Sequence, residues 1–407
     1  MSQYLNEFRT QWRAIASATI GLTSGLMMNS YAAAVMVPHL ATSLGWSKAD
    51  LAAVQVMAIA TVFAFPFVGR LADVFGARRT ALVGIVSSPL LFLGFSMMNS
   101  IWTYVILFGL QVVLLTTTTP PIYCRVIVEY FKQARGLALA IAASGPPLAA
   151  VIGGPLLNNF VIAHGWRAGY LALMVFTVVG GLAALLLMPA ETKSASRTRP
   201  PSRARQDYAF ILKSPAFWLL VVSTLLCNLP QAVLLTQLNL MIAEQGVVGR
   251  AASIMVSAYA GGMLVGRFIS GFALDRFPAR LVATAGLCIS ALGLWAMGTI
   301  EGSVTGLAIA VLAIGFSFGA EADILAYLIV RQFGVRVFSS VHGMLAASVA
   351  VSSALGAGLL SLTLSTTGDS YQPFLLGTGL GVLAGALLLL LLPKPSDFVD
   401  EADETSR

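Results

Sequence analysis

Charged side chains are scarce in this 407-residue chain, at 10% of the whole. So little charge leaves too little polar surface to cover a water-soluble globule. Histidine is scarcer still: the 3 present, His39, His164 and His342, are scattered along the chain. They assemble no His-rich metal cluster and no serine–histidine–acid arrangement, and the sequence has no Gly-rich phosphate loop. The expectation is a protein that is not an enzyme and takes no cofactor or metal. The 3 cysteines, Cys124, Cys227 and Cys288, all fall inside apolar runs, which suits packed thiols in a lipid phase and not a disulfide framework. The N-terminus lacks a short apolar core followed by a small-residue cleavage site, so the first apolar run, near 14–42, is expected to stay as a helix.

Apolar sequence is what the chain has in abundance, with 57% hydrophobic residues and a mean hydropathy of +0.85. A membrane-crossing helix needs about 20 such residues. Apolar runs and their breaks place helices near 14–42, 48–69, 80–98, 102–130, 136–160, 167–188, 215–243, 250–270, 281–299, 303–330, 337–365 and 372–392. The fold class expected is therefore an all-α membrane protein of twelve transmembrane helices, about what a chain of this length can hold. A net charge of +7 would suggest nucleic acid in a soluble protein, but here the placement of the charges matters more. With both termini cytoplasmic, only Lys48, Arg167 and Arg250 of the 24 Lys and Arg residues lie in outside loops, and Arg125 and Arg267 lie within helices. The remainder gather on the inner side, as the positive-inside rule requires. The expected setting is a bacterial-type cytoplasmic membrane, with the lipid bilayer as partner and no nucleic acid.

The polar stretch from Glu191 to Lys213 carries Lys193, Arg197, Arg199, Arg203 and Arg205 with Pro200 and Pro201, and reads as a linker between two halves. The predicted organisation is an N-terminal six-helix bundle (1–190), a cytoplasmic linker (191–214), a C-terminal six-helix bundle (215–393) and an acidic tail (394–407). A repeat supports the division, because Gly69, Asp73, Phe75, Ala81 and Gly84 recur as Gly271, Asp275, Phe277, Ala283 and Gly286. The repeated element is a tight turn between crossing helices two and three, where Asp73 can cap a helix start and Arg78 and Arg79 sit at the inner interface. Its copy runs Gly271-Phe272-Ala273-Leu274-Asp275-Arg276.

These elements resemble the loop signature of the major facilitator superfamily, and with the helix count and the linker the resemblance covers the whole chain. It implies two pseudo-symmetric six-helix bundles, a substrate held between them near the midplane, and alternating access by rocking. Gly69, Asp73, Arg78, Gly271, Asp275 and Arg276 would then serve the conformational loop motif, holding the halves in register without touching substrate. At the start of crossing helix five, Tyr130, Phe131, Arg135, Leu137, Ala138, Ala142 and Gly145 match the monocarboxylate-porter signature, while Gln133, Ala134 and Ala140 depart from it. The chain is thus similar to the monocarboxylate porter and oxalate–formate antiporter-like branch. In that branch an intramembrane arginine stands where Arg267 stands here, four residues before Gly271. The resemblance implies that it meets a substrate carboxylate, which a planar, permanently charged guanidinium suits. The alternative is an arginine snorkelling to the inner interface. The usual helix-eight acid is replaced by Met263, and helix one carries Asn29, Ser30 and Tyr31 but no lysine.

Crossing helix ten offers acids instead, Glu321 and Asp323, in an otherwise apolar span. Two residues apart on a helix, they point about 200° away from each other, so both cannot face one partner. Asp323 shares a face with Tyr327, and an ion pair with Arg267 would offset the cost of both charges; such a pair could equally be a structural lock. Candidate proton carriers are therefore Asp323, Glu321 and His342. Arg125 is a second intramembrane cation, able to bind substrate, to pair with Glu129 one turn on, or to pair with cytoplasmic loop charges. Thr116 to Thr119 before Pro120 and Pro121, and Ser144-Gly145 before Pro146 and Pro147, mark helix breaks beside a cavity or a hinge, or simple kinks. Asn29 and Gln231 occupy matching repeat positions and, with Tyr31 and Asn228, are expected to line the pathway. The function expected is secondary active transport of a small organic anion, a monocarboxylate or related carboxylate, by a monomer in symport with protons. A drug or metabolite efflux antiporter of the same fold is the alternative, and a non-transporting membrane sensor or enzyme ranks behind it.

Overall fold

The computed structural model describes residues 2–46, 54, 56–189, 202–247, 250–300, 303–367 and 370–393, and every regular element among them is helical. Of the described residues, nine segments form helices long and apolar enough to cross a membrane. They correspond to the expected crossing helices three to seven and nine to twelve. Many large apolar side chains point outward, Phe63, Val151 and Trp102 being 78%, 74% and 73% exposed. Outward apolar surface on this scale belongs against lipid, and the chain is a multi-pass membrane protein.

The other three crossings are present in a different form. Crossing helix one follows an interfacial helix, α1 (Ser2–Thr10), and is divided into α2 (Trp12–Thr23) and α3 (Leu26–Leu44) because Gly25 is extended, with φ −94° and ψ −154°. Crossing helix two shows as a short 3-10 turn (Val56–Ala60) running into α4 (Thr61–Phe75), and the expected start near 48, including Lys48, lies outside the described residues. Crossing helix eight is recovered below as α13. Of the expected linker, 191–201 lie outside the described residues, whereas its second half folds as a helix, α10 (Ser202–Lys213). The acidic tail from 394 also lies outside them.

The described chain falls into two compact units. The first holds residues up to Gln133, then 141–200 and 335–344. After α4 it contains α5 (Ala77–Met97), α6 (Ile101–Leu114), α7 (Pro120–Tyr130), most of α8 (Arg135–His164) and α9 (Trp166–Leu187). Its core is aromatic: Phe92, Phe95, Tyr104, Trp166 and Tyr170 cluster with methionines of α3, and Phe95 stacks on Tyr170 at 5.2 Å and 18°. Two helix breaks meet here. Residues 115–118 form a 3-10 turn before Pro120 restarts the helix, and the Thr118 hydroxyl accepts the Leu26 N–H at 3.1 Å. The amide freed by the break at Gly25 is thereby satisfied, which a helix interrupted within lipid requires.

The second unit comprises 134–140, 201–334 and 345 onward. It contains α10, α11 (Pro215–Asn228), α12 (Gln231–Glu244), α13 (Arg250–Leu274), α14 (Ala279–Thr299), α15 (Val304–Phe333), most of α16 (Phe338–Thr367) and α17 (Gln372–Leu388). Its tightest seam joins α13 to α15. A Cβ on Gly262, Gly266, Gly315 or Gly319 would collide with backbone of the facing helix, at Leu312, Phe316, Tyr259 and Met263 respectively. Two small-residue pairs, each four apart on its helix, thus bring two backbones into contact, the commonest device for close helix association in a membrane.

Candidate functional site

The glycine seam positions the charged pair. Arg267 follows Gly266 directly, and its Nε donates to the Gly319 carbonyl at 3.0 Å and lies 3.3 Å from Asp323 Oδ2. The two side chains are 13% and 2% exposed. Asp323 Oδ2 receives no hydrogen bond, so the contact holds by charge alone, which leaves the carboxylate a looser partner than a forked pair would be. On the other side of α15, Glu321 Oε1 accepts a hydrogen bond from Asn228 Nδ2, and Glu321 Oε2 has no partner. Asn228 also donates to the Thr224 carbonyl at 2.9 Å and is 1% exposed. Its amide therefore serves the interior of the second unit: burying Glu321 requires a donor, and Asn228 is that donor.

The repeated aspartates cap helices. In the first unit, Asp73 accepts the backbone N–H groups of Ser339 and Ser340, at 3.1 and 2.6 Å. In the second, Asp275 accepts those of Gly136 and Leu137, at 2.6 and 3.1 Å. These are the second and third residues of α16 and of α8, whose amides have no partner within their own helix. A carboxylate there satisfies both donors and meets the positive end of the helix dipole. Gly69 and Gly271 permit the approach, since a Cβ on either would strike the carbonyl of Ser339 or of Gly136. Arg276 lies over the Phe272 ring at 3.9 Å, and Arg78 is half-way along neither cap but at the exposed start of α5.

Of the partners expected for Arg125, the structure gives it a charge of the repeated turn. Arg125 forms a buried ion pair with Asp73, not with Glu129, and its Nη1 also reaches Ser339 Oγ at 3.5 Å. Its charge is thereby engaged by the capping carboxylate. The repeat places Tyr327 where the first half has Arg125. Tyr327 is buried and its hydroxyl accepts from Arg331 Nη2 at 3.5 Å. His342 is 4% exposed, its ring edge-on to Phe338 and its Nδ1 without a partner. Gln231 is half-buried at the start of α12. Asn29 accepts from Gln111 Nε2 at 2.7 Å in the first unit, and the Tyr31 side chain lies outside the described residues. Gln111 and the glycine seam went unread in the sequence, although a lone amide in an apolar run and the spacing of Gly262 with Gly266 and Gly315 with Gly319 were visible there.

A polytopic helical protein built from a tandem repeat, with capped helix starts and charges paired inside its bundles, has the build of a membrane carrier. The sequence profile of the Major Facilitator Superfamily matches residues 19–247, more than half of the chain, and the protein belongs to that superfamily and is a transporter of its kind. Human monocarboxylate transporter 11 is 26% identical over 400 residues, covering 94% of this chain and 82% of its own. A chloramphenicol resistance protein of Streptomyces lividans is 25% identical over 401 residues, covering 93% and 94%. Among solved structures, the E. coli fucose:proton symporter FucP shares the fold at a TM-score of 0.74 and 13% identity, covering 94% of this chain and 98% of its own.

Proposed function

We propose that the protein is a secondary active transporter of a small organic anion, a monocarboxylate or a related carboxylate, working by alternating access in symport with protons. The observation that carries this reading is the Arg267–Asp323 pair, a guanidinium and a carboxylate facing each other at 3.3 Å without a full hydrogen-bonded fork. A substrate carboxylate competes with Asp323 for the guanidinium, because its planar form matches two parallel N–H donors. Asp323, deprived of its counter-charge in a low-dielectric site, then takes a proton. Anion and proton are coupled because each makes room for the other. The relatives named as monocarboxylate transporters support the substrate class. The charge asymmetry of the loops supports cytoplasmic termini in a bacterial cytoplasmic membrane, and we take the working unit to be a monomer.

Uptake of labelled monocarboxylates into vesicles tests the reading. Arg267→Lys is expected to retain the fold and lose most uptake, since a point charge replaces a planar fork; normal uptake by this variant removes Arg267 from the binding site. A drug-efflux reading draws on Glu321, whose carboxyl has Asn228 and no cation as its partner, and on the chloramphenicol resistance relative. Efflux of cationic dyes or chloramphenicol with no carboxylate uptake would select it.

A further inference from the structure

The N-terminal unit encloses a cavity of ≈ 210 Å³ that draws on neither Arg267 nor Asp323. Its walls are rings, those of Phe92, Phe95, Tyr104, Phe108 and Tyr170, and no charged side chain lines it among the described residues. Phe95 lies between the two tyrosines, with ring centroids 5.7 Å from Tyr104 and 5.2 Å from Tyr170. Tyr104 and Tyr170 are only 3% and 6% exposed, yet neither hydroxyl has a hydrogen-bond partner among the described residues. A buried tyrosine hydroxyl ordinarily finds one. The polar edge of the cavity is the Asn29–Gln111 amide pair: Gln111 Nε2 donates to Asn29 Oδ1 at 2.7 Å, which leaves the Gln111 carbonyl and the Asn29 amino group free to serve a ligand. The divided helix maintains the space, since α3 restarts at Leu26 on the Thr118 hydroxyl and Leu26 itself is part of the lining.

From this geometry we infer that the cavity is a binding site for a neutral, ring-bearing organic molecule carrying one amide or hydroxyl group. Size, walls and edge each narrow the class. A dry apolar cavity of about 150 Å³ already accepts benzene, so the volume here takes a substituted ring. Aromatic walls favour a planar ring through offset and edge-on contacts. The free carbonyl and amino group at the edge match a primary amide or a hydroxyl, and the two tyrosine hydroxyls can serve the same substituent. The described lining offers an ion no counter-charge, and a buried charge without a partner is costly, so the class is a neutral one. The site is separate from the proposed carboxylate receptor, and its occupancy does not depend on that reading.

Benzamide, benzyl alcohol and benzoate are suitable probes with the purified full-length protein in detergent, with binding followed by calorimetry or ligand-observed NMR. Benzamide and benzyl alcohol are expected to bind saturably, and benzoate at pH 7 at least about tenfold more weakly. Gln111→Leu, Tyr104→Phe and Tyr170→Phe should each weaken benzamide binding by about three- to tenfold, the worth of one hydrogen bond. Arg267→Lys should leave it unchanged. The tyrosine variants lose one oxygen and keep the ring packing, so they report even if Gln111→Leu fails to fold. Benzamide binding that does not saturate, or that is unaffected by all three variants, would mean that the cavity holds only water. Benzoate binding more tightly than benzamide would overturn the neutral class, and loss of benzamide binding in Arg267→Lys would overturn the independence of the two sites.

Discussion

Glu321 and Asp323 lie two residues apart on α15 and meet opposite surroundings, one an amide and the other a guanidinium. That difference predicts different roles. Asp323→Asn is expected to abolish accumulation driven by a pH gradient while leaving substrate exchange measurable, because exchange returns the carrier loaded and needs no net change in protonation. Vesicle uptake with and without a gradient measures both. Unchanged pH dependence would shift coupling to Glu321 or His342, and a variant that neither folds nor exchanges would make the pair a structural lock. Arg125 and Asp73 are buried together, so removing either partner strands a charge. Arg125→Gln and Asp73→Asn are each expected to cost about 3–5 kcal/mol. The double variant should cost less than the two singly, with a coupling of about 0.5–3 kcal/mol, read from thermal unfolding in detergent. Strict additivity would mean that the two do not depend on each other.

Between helices, the small residues decide. α13 and α15 touch backbone to backbone through Gly262, Gly266, Gly315 and Gly319, and the charged pair sits at the end of that seam. Gly319→Val drives a side chain into the Met263 carbonyl and must separate the helices by the width of a methyl group. The expected result is a destabilisation of about 1–3 kcal/mol together with loss of uptake, because Arg267 is drawn away from Asp323. Gly261→Ala is the matched control, since a Cβ there meets nothing within 4 Å, and it should retain both stability and uptake. If Gly319→Val transports normally, the seam does not set the pair. The caps act on the same scale. Two aspartates from one repeated turn each close the start of a helix that begins in the corresponding part of the other sequence half, which gives the repeat a physical reason to be kept in both copies.

At the scale of the whole molecule, the sequence halves repeat one another, and the proposed orientation rests on the loop charges. A reporter fused after Arg407 is expected to be active only on the cytoplasmic side of the membrane, as the positive-inside distribution dictates. Activity on the opposite face would invert the topology and with it every assignment of inner and outer ends. The linker shows how far pattern reading reaches. Charge and proline suggest a linker, and 202–213 of it forms a helix, because past Pro201 the run from Arg203 to Lys213 contains no residue that prevents one.

Membrane residence, the helical class, the repeat and the identity of the intramembrane charges were all legible in the sequence. Each depends on a local property: hydropathy over about 20 residues, the need of a spanning backbone to bond with itself, or residue identity at a fixed offset. Partnership was legible only in part: the pairing of Arg267 with Asp323 was expected and forms. Helical spacing offered Arg125 its neighbour Glu129 and the loops offered it several charges without choosing among them, and folding gave it Asp73, 52 residues away. The repeat paired Asn29 with Gln231 as matching sites, whereas folding set Asn29 against Gln111 at the edge of an aromatic cavity and turned Asn228 toward Glu321. Periodicity fixes which face of a helix a side chain occupies, but not which helix that face meets. That choice was made by the glycines that let α13 and α15 close together and by the paired breaks at Gly25 and Thr118, contacts between segments distant in the chain that exist only once it is folded.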